Sequence, residues 1–124
     1  MKIHHIGYLV KDMSAAVMRF RQLGYIVEQE VRYDDLRKME ICFLSNENVQ
    51  VELVHPDEDC TCVGKGLRKL GNAPYHICYE TEDLKKTIAE LTQYAWLMVK
   101  NPAPAPCIGN QKVDFFYHDE VGLI

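Results

Sequence analysis

The feature that most constrains this chain is that it repeats itself. Residues His5-Ile6-Gly7-Tyr8-Leu9-Val10-Lys11-Asp12-Met13 are echoed 71 positions later by His76-Ile77-Cys78-Tyr79-Glu80-Thr81-Glu82-Asp83-Leu84. His, Ile, Tyr and Asp recur at the same relative places. A repeat of this size means two copies of one supersecondary unit, each needing the other to bury its apolar face. Both copies continue alike. Asp12 is a good helix N-cap, and Met13, Ala16, Val17 and Phe20 follow as one helical stripe, with Gly24 where a helix would stop. Asp83 caps the second copy, and Leu84, Thr87, Ile88 and Leu91 fill the same slots.

Strands are expected after each helix. Residues 25–31, 39–44 and 49–54 read as strands in the first copy, and 96–99 and 113–117 in the second. Residues 101–109 read as a loop, because Pro102, Pro104 and Pro106 exclude a central strand or helix. The connector, residues 56–74, holds a short helix over Val63–Leu70. The organisation is one domain of two modules, about residues 1–55 and 75–124.

Composition removes several classes of function. A net charge of −4 gives no basic footprint, which argues against nucleic acid as a partner. No apolar run approaches the roughly 20 residues of a membrane span. Five scattered cysteines and an N-terminus that reads straight into a strand suggest free thiols in a reducing cytoplasm. An apolar content of 48% is that of a folded protein.

Strand alternation then sorts the polar residues by face. Ile6, Tyr8 and Val10 share a face, leaving His5 and Gly7 opposite. Val49, Val51 and Leu53 leave Gln50 and Glu52 opposite. Ile77 and Tyr79 leave His76 and Cys78 opposite. Met39, Ile41 and Phe43, taken as the helix-side set, leave Glu40 and Cys42 opposite. On this reading His5, Glu40, Glu52 and His76 all project away from the helices. Neutral imidazoles and a carboxylate together suit Zn, Ni, Co, Mn or Fe, with open positions for water or substrate oxygens. Cys60 and Cys62 lack a second pair, so a structural zinc site is not expected there. His4 is expected to pack rather than ligate, and His55 and His118 to be exposed turn residues.

His5-Ile6-Gly7 opening a strand, Val51-Glu52-Leu53-Val54-His55-Pro56, and Tyr75-His76-Ile77 followed by Asp83 resemble the vicinal oxygen chelate (glyoxalase/bleomycin resistance/dioxygenase) superfamily. The similarity is closest to methylmalonyl-CoA epimerases and glyoxalase I-type lyases, and it covers nearly the whole chain. It implies an α+β fold of two tandem βαβββ modules in a cup-shaped mixed sheet. It implies His5, Glu52 and His76 as ligands of one divalent metal (Zn, Ni, Co or Mn). The family's fourth ligand is a glutamate on the last strand. By the repeat, the counterpart of Glu52 falls just past Ile124.

The chemistry implied by the resemblance is removal and return of a proton beside a thioester or carbonyl, with metal charge stabilising the enolate. Glu40 resembles an acidic residue that some epimerases carry on this strand, and is the candidate base. The leading expectation is a methylmalonyl-CoA epimerase-like enzyme acting on an acyl-CoA. The alternatives are glyoxalase I (lactoylglutathione lyase) acting on a glutathione adduct, and a metal-free small-molecule binding or resistance protein of the same fold. A homodimer is expected, because an open sheet leaves edges to cover.

Overall fold

The structure, a computed structural model, describes residues 1–60 and 63–124. Its elements run β1 (Lys2–Leu9), α1 (Met13–Gln22), β2 (Ile26–Asp34), β3 (Met39–Asn46), β4 (Val49–Pro56), α2 (Val63–Leu70), β5 (Ala73–Glu80), α3 (Leu84–Gln93), β6 (Leu97–Met98), β7 (Ala103–Ala105), β8 (Gln111–Val113), β9 (Phe116–His118) and β10 (Gly122–Leu123). The expected α+β class holds. Five strands form one mixed sheet in the order β2-β3-β4-β1-β5. By chain contacts there are two compact units, His5–Tyr75 and Met1–His4 with His76–Ile124.

In the unit His5–Tyr75 the expected cap and stripe both form. Asp12 accepts a hydrogen bond from the Ala15 N–H at 2.9 Å, satisfying one of the donors that a helix start leaves open. The chain leaves α1 through Gly24 at φ +93°, a left-handed conformation that costs glycine little. Met13, Ala16, Val17 and Phe20 pack on Tyr8, Val10, Cys42, Leu44, Val51 and Leu53. Leu44 and Leu53 have no exposed surface, and burying such a side chain contributes about 1.5–3 kcal/mol. Phe20 sits edge-on to both Tyr8 (5.3 Å) and Tyr25 (5.1 Å) and closes this layer.

The pairing fixes which residues share each face. β4 runs parallel to β1, with Gly7 beside Glu52 and Tyr8 beside Leu53. It runs antiparallel to β3 without a break, with Glu40 beside His55, Cys42 beside Leu53 and Phe43 beside Glu52. Partners across a ladder point the same way. One face therefore carries Tyr8, Cys42, Leu44, Val51 and Leu53 under α1. The other carries His5, Leu9, Met39, Ile41, Phe43, Glu52 and Val54. This second face is also buried, and α2 helps to cover it: a Cβ on Gly66 would stand 3.5 Å from Leu9 Cδ1, an ordinary contact. At the outer edge β2 pairs with β3 through two register shifts, between Val27 and Gln29 and between Gln29 and Arg32. The β2–β3 turn is tied by buried Asp34, whose carboxylate accepts from the N–H groups of Leu36 and Arg37 and from Arg37 Nη1.

In the second unit Asp83 caps α3 by accepting from the Lys86 N–H at 3.0 Å. β9 pairs antiparallel with β6 and with β10, and Phe116 exchanges two backbone hydrogen bonds with Ile124. The strands here are shorter than expected. The strand expected over 96–99 is only Leu97–Met98. The strand expected over 113–117 is interrupted at Asp114 and Phe115, where the Asp114 carboxylate takes the Phe115 N–H at 2.8 Å. The expected proline loop contains a short strand, Ala103–Ala105, paired with β8.

Candidate metal centre

His5 and Glu52 arise from strand alternation and the parallel β1–β4 register. Glu52 lies beside Gly7, and His5 is two residues back on the same face. His5 Nε2 is 3.2 Å from Glu52 Oε2, with side-chain exposures of 5% and 13%. Taking a carboxylate this far out of water is costly unless something positive or hydrogen-bonding faces it. His5 answers that need in part, and a cation would answer it more fully.

His76 occupies the repeat-equivalent place on β5 and is 6% exposed. His5 and Glu52 offer two ligand atoms 3.2 Å apart in the unit His5–Tyr75, and His76 offers a third from its own unit. Two donors at about 2.1 Å from an ion stand about 3.0–4.2 Å apart as the angle between them opens from octahedral to trans. The His5–Glu52 pair, at 3.2 Å, thus fits a small divalent ion without movement. Two imidazole nitrogens and one carboxylate oxygen suit a first-row transition metal and leave positions open. His4 Nε2 lies 3.7 Å from Glu80 Oε1.

Glu40 does not join this face. The expectation that it shares a face with Glu52 is overturned by the β3–β4 register, in which Phe43, not Cys42, stands beside Glu52. Glu40 therefore lies with Cys42 and Leu44 on the α1 side, next to His55 and Tyr33. Cys42 moves with it. It is 1% exposed in the α1 core, and burial, helped by the Glu30 carboxylate, pushes its thiol up to about 11. The phase was misassigned because Ile41, Cys42, Phe43 and Leu44 are all buried, at 4%, 1%, 3% and 0% exposed. A strand covered on both faces has no polar side to mark its orientation.

Other expectations shift less. His55 is a half-buried strand residue whose Nδ1 bonds the Val10 carbonyl at 3.0 Å, not an exposed turn residue. His118 Nδ1 accepts from the Glu120 N–H, and its ring lies 5.3 Å from Trp96. Lys65, Arg68 and Lys69 are exposed on α2. Cys60 Sγ contacts the Arg37 carbonyl, while Cys62 lies outside the described residues. Two site residues went unnoticed in the sequence. Phe43 packs edge-on against His5 (ring centroids 5.2 Å, planes at 80°), and Phe115 against His76 (5.5 Å, 84°). The one signal available was their near-equivalence in the repeat.

The chain resembles known proteins in sequence and in fold. The chain is 29% identical over 85 residues to an ethylmalonyl-CoA/methylmalonyl-CoA epimerase of Cereibacter sphaeroides. That match spans 67% of this chain and 63% of the relative, so less than two thirds of the relative's length. Its fold is similar to that of methylmalonyl-CoA epimerase from Mycobacterium tuberculosis, with a TM-score of 0.81 at 21% identity over 96% of this chain and 79% of that one. It is also similar to a glutamate-to-glutamine variant of the Streptomyces coelicolor methylmalonyl-CoA epimerase in complex with 2-nitronate-propionyl-CoA (TM-score 0.79, 23% identity, 97% of this chain and 89% of that one). At these identities the structural likenesses establish the fold. Residues 2–115 match the family described as Glyoxalase/Bleomycin resistance protein/Dioxygenase superfamily, and the chain belongs to that superfamily.

Proposed function

We propose that this chain is a metal-dependent epimerase of a 2-substituted acyl-CoA, with His5, Glu52 and His76 as the protein ligands of one divalent ion. The observation that carries the reading is the buried His5–Glu52 pair, 3.2 Å apart, with a second buried imidazole, His76, at the repeat-equivalent place. The acyl-CoA class rests on the names of the relatives.

The bound ion would supply the positive charge that stabilises an enolate next to the thioester. His5 and His76 would offer ring nitrogens to the ion, and Glu52 would lower the net charge of the site. Met39, Ile41 and Phe43, buried on the same face as Glu52, keep water from competing for the open positions. No carboxylate on β3 reaches that face. A homodimer is part of the same reading, supported by exposed Ile26, Val31 and Tyr33 on edge strand β2.

A second reading is a binding protein of the same fold that holds an acyl-CoA without turnover. It is favoured by the position of Glu40 off the metal face. Exchange of the methylmalonyl-CoA α-proton in D2O, followed by NMR with Co, Ni, Zn or Mn added, separates the two. Metal-dependent exchange is expected. Tight binding without exchange would leave the second reading standing, and the absence of both would remove both.

A further inference from the structure

The two histidines share a feature that ligand chemistry alone does not require. Each sits at nearly a right angle to a phenylalanine. His5 and Phe43 both lie in the unit His5–Tyr75, with ring centroids 5.2 Å apart and planes at 80°. His76 and Phe115 both lie in the other unit, at 5.5 Å and 84°. The histidines are 71 residues apart and the phenylalanines 72, so the same arrangement is built once in each copy of the repeat.

We propose that Phe43 and Phe115 are positioning residues that hold the His5 and His76 imidazoles in a single ring orientation and so preset the nitrogen each offers to the ion. The inference rests on the metal reading above. The final torsion of a histidine side chain is broad and nearly two-fold, so an unrestrained ring can present either a nitrogen or a carbon at one place. Metal-binding histidines usually have this settled by a hydrogen bond from the second ring nitrogen to a carboxylate or carbonyl. Here a perpendicular aromatic ring adds a further restraint. Perpendicular aromatic pairs resist rotation of either ring, because the favourable contact is between the edge of one and the face of the other.

The β3–β4 register makes the arrangement more specific. Phe43 stands beside Glu52, and Glu52 Oε2 is 3.2 Å from His5 Nε2. His5 is therefore fixed by a polar contact at one nitrogen and by an apolar contact on the ring, both delivered from one ladder rung. Phe43 is 3% exposed and His5 4%, so water offers neither ring an alternative partner.

The test uses the full chain stripped of metal, then titrated with Co(II), followed by its visible absorption, and with Zn(II) by competition. Phe43→Leu and Phe115→Leu keep apolar bulk but remove the ring. Each is expected to weaken Co(II) binding about 2- to 10-fold, the range a perpendicular ring pair is worth. Phe115→Tyr keeps the ring and should restore wild-type affinity. In the metal-free protein, the imidazole proton signals of His5 alone should shift and broaden in Phe43→Leu, and those of His76 alone in Phe115→Leu. A merely structural role would not confine the change to one histidine. If Phe43→Leu does not fold, Phe43→Met and Phe115→Leu carry the test.

Unchanged Co(II) affinity in the leucine variants, with affinity lost in His5→Ala, would overturn the clamp and leave the metal site standing. Failure of the wild type to bind Co(II) or Zn(II) would remove the metal reading and this inference with it.

Discussion

Replacing Glu52 by Gln gives the sharpest test of the metal centre. Gln keeps the size of the side chain and can still hydrogen-bond His5 Nε2, so metal-free stability should change by less than about 1.5 kcal/mol. The geometry with metal is different. Donors 3.2 Å apart, each about 2.1 Å from an ion, subtend an angle of about 100°, between octahedral and tetrahedral values. Glu52 therefore contributes both a formal charge and a bond. Its loss should weaken affinity at least as much as losing an outer-shell partner at its most severe, about 100-fold. At free metal 100 times the wild-type Kd, binding stabilises the fold by about 2.7 kcal/mol. For 124 residues that amounts to a rise in Tm of about 10 °C. At the same free metal the Glu52→Gln protein would sit near its own Kd, gaining about 0.4 kcal/mol and less than about 2 °C. Differential scanning calorimetry on chelator-treated protein, with and without Zn(II) or Co(II), reads both shifts. A wild-type shift below about 2 °C, or an equal shift in Glu52→Gln, would refute the ligand assignment.

Glu40→Gln should leave Co(II) affinity within about twofold of wild type, because Glu40 lies on the α1 face; a larger loss by the same titration would show that the register argument misplaces it. Cys42, with its thiol held up to about 11 by burial, should resist iodoacetamide at pH 8 until the protein unfolds, while Cys78 and Cys107 react first; peptide mass spectrometry gives the order. Asp114 is held above its ordinary value by burial, partly opposed by the Phe115 N–H. The native state therefore keeps this proton longer than the unfolded chain, and stability attributable to Asp114 is full at low pH. It falls as pH rises from about the ordinary carboxylate value through the raised one. Asp114→Asn should remove that decline, and urea unfolding of both proteins across pH 4–6 should show the wild type losing more stability than the variant.

How much of this was legible depended on whether each element has one wet face. α1 and α3 were readable from their caps, Asp12 and Asp83, because a helix start exposes donors that few residue types satisfy. The orientations of β1 and β4 were readable because apolar and polar residues alternate there, and so His5 and Glu52 were assigned to one face correctly. β3 was not readable. With four consecutive buried residues its pattern is compatible with either phase, and only pairing with β4 decides between them. In the second unit, Asp114 breaks a strand by taking a neighbouring N–H, a local competition that apolar periodicity does not register. Phe43 and Phe115 look like ordinary core residues in sequence, since nothing in an apolar side chain announces which ring it will meet.

The two register shifts in β2 bear on how the chain behaves in a crowded solution. An exposed sheet edge is a template for adding strands, and a newcomer needs an unbroken row of backbone donors and acceptors. Along β2 the longest uninterrupted run of pairing is Arg32–Asp34, and Glu28, Glu30 and Arg32 place charges along the same strand. Each shift also increases the local twist, so successive segments of the edge face different directions. A second chain could align with one short segment only by losing alignment with the next. Self-association of this protein should therefore proceed through side-chain surfaces rather than by extension of the sheet, and fibrillar growth from β2 is disfavoured by the fold itself.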